Sequence, residues 1–315
     1  MRDLRIVFMG TPEFAVSILQ EILEAGYTVA GVITVPDKPA GRGRKLHDSA
    51  VKKYAVSKGI PVLQPTNLKS PEFLEDLKAL KPNIQVVVAF RMLPKLVWNL
   101  PEYGTFNLHA SLLPQYRGAA PINWAIINGE QTTGVSTFFL DEKIDTGAMI
   151  LQRSVAIDKN ENAGSLHDKL MHTGAKLVLE TLELIKDDKA VPEKQLESSS
   201  LKDAPKLNKE NTRINWNNSM DEIYNHIRGL NPYPTAWTEL INNGETLPIK
   251  IYEVKKFPEA HELEVGKLVL KNKELLVAVK NGYIHLLEIQ IPGKRKMLTR
   301  DLLNGYQFEN DAKVL

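Results

Sequence analysis

There is no cysteine among the 315 residues. That removes disulfides, thiolate metal sites and a cysteine nucleophile together, and it suits a reducing cytoplasm. No apolar run approaches the ~18 residues of a transmembrane helix. The short run from Ile6 to Met9 stops at Gly10-Thr11-Pro12, too soon for the core of a secretory signal. A soluble, cytoplasmic protein is expected. An excess of either charge is also missing, since 40 Lys+Arg against 38 Asp+Glu leave a net charge of +2. A strongly basic nucleic-acid coat is therefore excluded, while a local basic patch is not. The 7 histidines are scattered without H-x-x-x-H spacing beside an acid, so no metal is expected. No long heptad pattern forces association, and a monomer is the expectation. What remains is ordinary for a globular chain, 43% hydrophobic and 25% charged, at a length that suits two domains.

Ile6-Val7-Phe8-Met9 reads as a buried strand that ends at Gly10-Thr11-Pro12. There Thr11 is suited to cap a helix and Pro12 to open it. Phe14, Ile18, Leu19, Ile22 and Leu23 recur at helical spacing, Gly26 closes that helix, and an apolar strand runs from Tyr27 to Val35. Such a β-α-β unit implies a parallel sheet with a right-handed crossover. The pattern continues with helices predicted over 49–58 and 71–80, and strands over 61–63, 84–89, 104–108 and 134–140. A long helix over 163–185 follows. The fold class is α/β, with a doubly wound, Rossmann-like parallel-sheet domain over 1–190. Pro192, Pro205, Ser198-Ser199-Ser200 and many charges mark a linker, set at 191–207. Over 208–315 a helix at 220–228 precedes short strands at 249–257, 266–270, 275–279 and 283–291, separated by Pro, Asn and Gly. That spacing fits a small barrel or a sandwich.

Three places could carry chemistry. Gly10-Thr11-Pro12 occupies the position of a dinucleotide fingerprint, but only one glycine of G-x-G-x-x-G is present, which argues against a nicotinamide cofactor. The loop from Asp37 to Lys45 sets Lys38, Arg42, Arg44 and Lys45 among two glycines. It is either a solvated surface loop or a place for sequence-blind phosphate contacts. The third is Phe106-Asn107-Leu108-His109, followed by a Pro- and Gly-punctuated loop. Asn107 and His109 share one side of a strand, at the carboxyl edge where open α/β sheets bind ligands. Asp145-Thr146-Gly147 ends a later apolar stretch and can return a carboxylate to that edge. An amide to polarise a carbonyl, an imidazole to move a proton and a carboxylate to balance its charge make a catalytic set. The bland alternative is a structural histidine with two turn-capping neighbours.

These residues resemble a family. Asn107-x-His109-x-Ser111-Leu112-Leu113-Pro114, then Tyr116-Arg117-Gly118-Ala119-Ala120-Pro121-Ile122 and Asp145-Thr146-Gly147, are similar to the motifs of formyltetrahydrofolate-dependent formyltransferases. Gly10-Thr11-Pro12-x-Phe14-Ala15, Pro36 to Gly43, Ala204-Pro205-Lys206, Ile214-x-Trp216 and Ile227 to Pro234 extend the similarity over nearly the whole chain. Phe90-Arg91 depart from the Tyr-Gly usual after the strand ending at Ala89. The resemblance implies 10-formyltetrahydrofolate as formyl donor, and the α-amine of methionine on initiator tRNA as acceptor. It implies catalytic roles for Asn107, His109 and Asp145, and a folate-binding segment at Ser111, Leu112, Leu113 and Pro114. Lys38, Arg42, Arg44 and Lys45 would meet the tRNA acceptor end, and a C-terminal, OB-like β-barrel would hold the tRNA. A formyltransferase acting on a sugar-nucleotide or other small amine stays open as the alternative acceptor reading.

Overall fold

Runs of consecutive apolar residues, the mark of strands covered on both faces, build the centre of the first sheet. Its strands are β1 (Arg5–Gly10), β2 (Thr28–Ile33), β3 (Val62–Leu63), β4 (Ile84–Val88), β5 (Thr105–His109), β6 (Thr132–Phe139) and β7 (Met149–Ala156). They lie in the order β7-β6-β5-β4-β1-β2-β3. β1 pairs parallel with both β2 and β4, β2 with β3 and β4 with β5, while β6 runs antiparallel to β5. The chain moves outward from β1 to β3 and then returns to β4 on the other side of β1. That reversal opens a crevice at the carboxyl ends of the strands. In this computed structural model, residues 1–40, 45–197 and 200–315 are described.

The helices obey the local rules that predict them. α1 (Glu13–Glu24) buries Phe14, Ile18, Leu19 and Ile22. α2 (Ala50–Ser57) is capped by Ser49, and α3 (Pro71–Ala79) by Ser70 with Pro71 in its first turn. One expected cap is corrected. Pro12, not Thr11, holds the N-cap of α1, and its carbonyl accepts Ala15 N–H at 3.0 Å. The Thr11 carbonyl accepts Val51 N–H at 3.4 Å, and the buried Thr11 Oγ1 meets no partner among the described residues, so it caps nothing. The helix α4 (Pro121–Ile127) and the strand β7 lie outside the sequence expectation. The long helix α5 (Ala163–Lys186) agrees with it.

The contacts divide the chain into two units. Met1–Gly118, Thr133–Val155 and His167–Asp203 form the first, and Ala119–Thr132, Ala156–Leu166 and Ala204–Leu315 form the second. Within the second, α6 (Met220–Leu230) starts from a reciprocal Ser219–Glu222 capping box. It is tied to α4 by Asn123 Nδ2 donating to Gly229 O at 2.8 Å, and to the 156–166 segment by Arg228 Nη1 donating to Glu161 O at 2.7 Å.

The rest of that unit is antiparallel: β8 (Ala236–Asn242), β9 (Glu245–Phe257), β10 (Leu268–Lys271), β11 (Glu274–Val279), β12 (Gly282–Gln290) and β13 (Lys313–Val314). Their order is β10-β11-β12-β9-β8-β13. Leu268 N–H to Ala312 O (3.0 Å) and Val314 N–H to Gly266 O (2.9 Å) join the two ends, so the sheet curls into a barrel rather than a sandwich. The join depends on a glycine. Gly266 sits at φ +90, and a Cβ there would lie 2.4 Å from Val314 O. β8 was absent from the sequence expectation. It pairs with β9 across Asn243-Gly244, both at positive φ, the turn such a two-residue hairpin prefers.

Candidate active site

Strand alternation explains how β5 delivers its polar residues. Phe106 and Leu108 are buried, and Asn107 and His109 take the intervening positions, opposite Phe138 and Ser136 of β6. His109 is 7% exposed, and its Nε2 lies 2.8 Å from the Tyr116 carbonyl. A carbonyl only accepts, so Nε2 carries a proton and the ring is held by that bond. Nδ1 is thereby turned to Asp145 Oδ2, 3.8 Å away. Asp145 Oδ2 accepts the Gly118 N–H at 2.9 Å. Asn107 is half-buried, and its amide is engaged by no other described residue.

The backbone around this corner is strained. Ala89, Tyr116 and Asp145 have φ of 48, 59 and 55, in the left-handed region. Non-glycine residues stay there only where their surroundings over-determine the conformation. The Asp145-Thr146-Gly147 turn is pressed onto the end of β6, where a Cβ on Gly147 would lie 1.7 Å from Phe139 O. Thr146 Oγ1 donates to Asp141 Oδ1 at 2.8 Å, and Lys95 pairs with Glu142 at 2.7 Å. Gln195, from the stretch after α5, donates to the carbonyls of Asp145 and Gly147 at 3.0 and 2.9 Å. No sequence signal singled it out, because its surroundings carry neither periodicity nor a motif.

Ser111, Leu112, Leu113 and Pro114 continue directly from this corner. Ser111 and Leu113 are buried, and Leu112 and Pro114 half-buried. Ser136 Oγ donates to Ser111 O (2.6 Å) and accepts Leu113 N–H (3.1 Å), while Gln152 Nε2 donates to Leu113 O (2.7 Å). The segment's inward polar groups are thus satisfied by protein. Arg91 is not among the residues at positive φ, so it needs no glycine's freedom. Its guanidinium donates to Thr66 O at 3.2 Å and to Pro65 O, linking the loops that follow β4 and β3. Burial lowers its pKa below the usual arginine value.

At the two ends of the basic loop, Lys38–Ala40 pair antiparallel with Lys45–His47. Lys38 and Lys45 stand on these two short strands, and Arg42 and Arg44 lie outside the described residues. The loop's base is cinched by Lys52, which bonds Asp37 at 2.5 Å on one side and Asp48 at 2.9 Å on the other. The Lys52 hydrogen bond holds the Asp37 carboxyl below the usual carboxylate range. In the second unit, Lys256 and Lys271 are paired with Asp221 and Glu259. Lys209 and Arg213 lie over the Trp237 ring at 5.1 and 5.4 Å, a basic and aromatic patch beside β8.

A doubly wound sheet with Asn, His and Asp at its carboxyl edge, followed by a small barrel, is an architecture that known proteins share. The chain belongs to the formyl transferase family: the family matches residues 4–182, and its C-terminal domain matches residues 206–307. It is 59% identical over 314 residues to a methionyl-tRNA formyltransferase of Flavobacterium johnsoniae, covering 100% of both chains. It is 51% identical over 317 residues to the methionyl-tRNA formyltransferase of Bacteroides fragilis, covering 99% of this chain and 98% of the relative. Among solved structures, the sugar 3N-formyl transferase WlaRD superposes with a TM-score of 0.65 at 22% identity, over 94% of this chain and 100% of that one. At that identity the likeness concerns the fold alone.

Proposed function

We infer that this chain transfers the formyl group of 10-formyltetrahydrofolate to the α-amine of methionine carried by initiator tRNA. The observation that carries the reading is the corner where His109 Nδ1 and Asp145 Oδ2 stand 3.8 Å apart, on the strand side that Asn107 shares by alternation. It occurs in a chain alike, end to end, to proteins named for that reaction.

The neutral amine attacks the formyl carbon, a new C–N bond forms, and the carbonyl oxygen gathers negative charge. Asn107 and protonated His109, through Nδ1, donate hydrogen bonds to that oxygen. Asp145 takes the proton that the amine sheds, directly or through water, and returns one to the folate nitrogen as its bond to the formyl carbon breaks. No electrons change hands, so the reaction needs no redox partner, and the donor set of one amide, one imidazole and one carboxylate needs no metal. Ser111, Leu112, Leu113 and Pro114 line the folate side, a role that suits a segment whose inward polar groups are already satisfied. Lys38, Arg42, Arg44 and Lys45 meet the acceptor-end phosphates, and residues 208–315 hold the tRNA beyond a linker at 191–207. The enzyme works in the cytoplasm as a monomer.

Formyl transfer from 10-formyltetrahydrofolate to methionyl initiator tRNA, methionyl elongator tRNA and a sugar-nucleotide amine tests this directly. Fast transfer to the initiator alone is expected, with a tRNA KM that rises steeply with salt as phosphate contacts displace counterions. Transfer to the sugar-nucleotide amine alone would keep the catalytic corner and discard the tRNA.

A further inference from the structure

Gln195 lies outside every motif, yet it is built into the corner. An isolated antiparallel bridge, Met149 N–H to Glu193 O (2.7 Å) and Glu193 N–H to Met149 O (2.8 Å), draws residue 193 alongside the start of β7. Two residues on, Gln195 is 4% exposed. Its Nε2 donates to Asp145 O at 3.0 Å and Gly147 O at 2.9 Å. Its Oε1 accepts Arg117 Nε at 3.2 Å and Nη2 at 2.7 Å. Both amide hydrogens and both oxygen lone pairs are therefore in use.

These bonds close a ring. Arg117 precedes Gly118, whose N–H reaches Asp145 Oδ2, and the Asp145 carbonyl leads back to Gln195. The ring encloses a residue at φ 55, a left-handed conformation that costs an aspartate more than a glycine and that the ring's bonds help to hold. It joins the two chain segments that must agree for Asp145 to face His109: the loop ending at Gly118 and the 145–147 turn.

We propose that Gln195 is a positioning residue for formyl transfer, setting the Asp145 carboxylate against His109 by clamping the 145–147 backbone to Arg117. It acts through Asp145 and does not itself meet substrate. The proposal rests on the formyl-transfer reading of the corner.

The test uses two variants of the full chain. Gln195→Glu keeps an acceptor for Arg117 but loses both donor hydrogens and turns an oxygen on two carbonyls. Gln195→Ala removes the clamp altogether. In each, kcat should fall about 10- to 100-fold, as small misplacements of reacting groups do, with the tRNA KM within about twofold and the melting transition retained. On an Asp145→Asn background the same Gln195→Glu change should cost less than about threefold, because effects that run through one group do not multiply. Hydrogen exchange gives a readout without chemistry: the Gly118 amide should exchange at least about tenfold faster in Gln195→Glu. Wild-type kcat in both single variants, losses that multiply with Asp145→Asn, or unchanged Gly118 exchange would each overturn the proposal. If the unaltered chain formylates no tRNA, the functional reading fails, and the exchange measurement still decides the role of Gln195.

Discussion

In the first unit, β1 is buried from its second residue onward and β4 along its whole length, and the polar side chains gather where β5 ends. In the second, β8 alternates strictly between buried and half-buried positions, and one core of Ile249, Ile251, Leu275, Val277, Ile284 and Leu286 fills the barrel. The first unit thus separates its tasks. Apolar strands supply cohesion, and a corner of cross-braced polar groups supplies geometry. In the barrel, β8 sends alternate residues inward to that core and keeps the others half-exposed, while β11 is buried on both faces from Leu275 to Val279. A polar change at the corner should therefore move rate more than stability, and a core truncation in the barrel should do the reverse.

The sharpest break of that comparison is Asp145→Asn, which removes a proton acceptor while keeping shape. Turnover should fall ~10²–10⁴-fold, with the melting temperature nearly unchanged, measured by single-turnover formylation and calorimetry on the same sample. A large loss of melting temperature would mean that the corner also holds the first unit together. Ile251→Ala, at a position 0% exposed in the barrel core, should cost ~2–5 kcal/mol of the second unit's stability. Below its new melting point the variant should keep its folate KM, and a denaturant series read at Trp216 and Trp237 checks the stability term.

The smallest effect expected is an acid sensitivity. Burial pushes the His226 pKa down, only partly offset by its hydrogen bonds to the backbone of Thr212 and Arg213. Its Nε2 has no partner among the described residues. The unfolded chain takes up this proton near the ordinary histidine value of about 6.5, and the folded one only at lower pH. The stabilising contribution is therefore present above that value and is lost as pH falls through the folded pKa. The second unit's melting temperature should drop between pH 7 and 5, and His226→Gln should flatten that slope. A slope unchanged by the substitution would place the acid sensitivity elsewhere.

Much of this was legible residue by residue. Ile6 to Met9 and Ile84 to Ala89 announced buried parallel strands, and the spacing of Asn107 and His109 placed both on one side of β5, because side chains alternate along any strand. β8 could have been read too. Asn243-Gly244 is a strong hairpin signal, flanked by an alternating run. The α1 cap differs from the expectation because the helix starts from an extended Pro12, one residue past Thr11, whose Oγ1 reaches no partner among the described residues. Gln195 had no signal at all, since a lone glutamine among charges and prolines looks the same buried or exposed.

What the sequence by itself determined is most of the elements and their order, the α/β class of the first half and the β character of the second, and it marked Asn107, His109 and Asp145 as candidates for one reaction. These follow from periodicity, turn chemistry and motif, which act within a few residues of chain. Only the tertiary structure decided that Nε2 of His109 is spent on Tyr116, that Asp145 is held at a left-handed φ, that Gln195 ties its turn to Arg117, and that Gly266 lets the last strand close the barrel. Each of those joins groups far apart along the chain. Which buried donor finds which acceptor is settled by packing in three dimensions, where an unpaired polar group costs more than any local preference can repay.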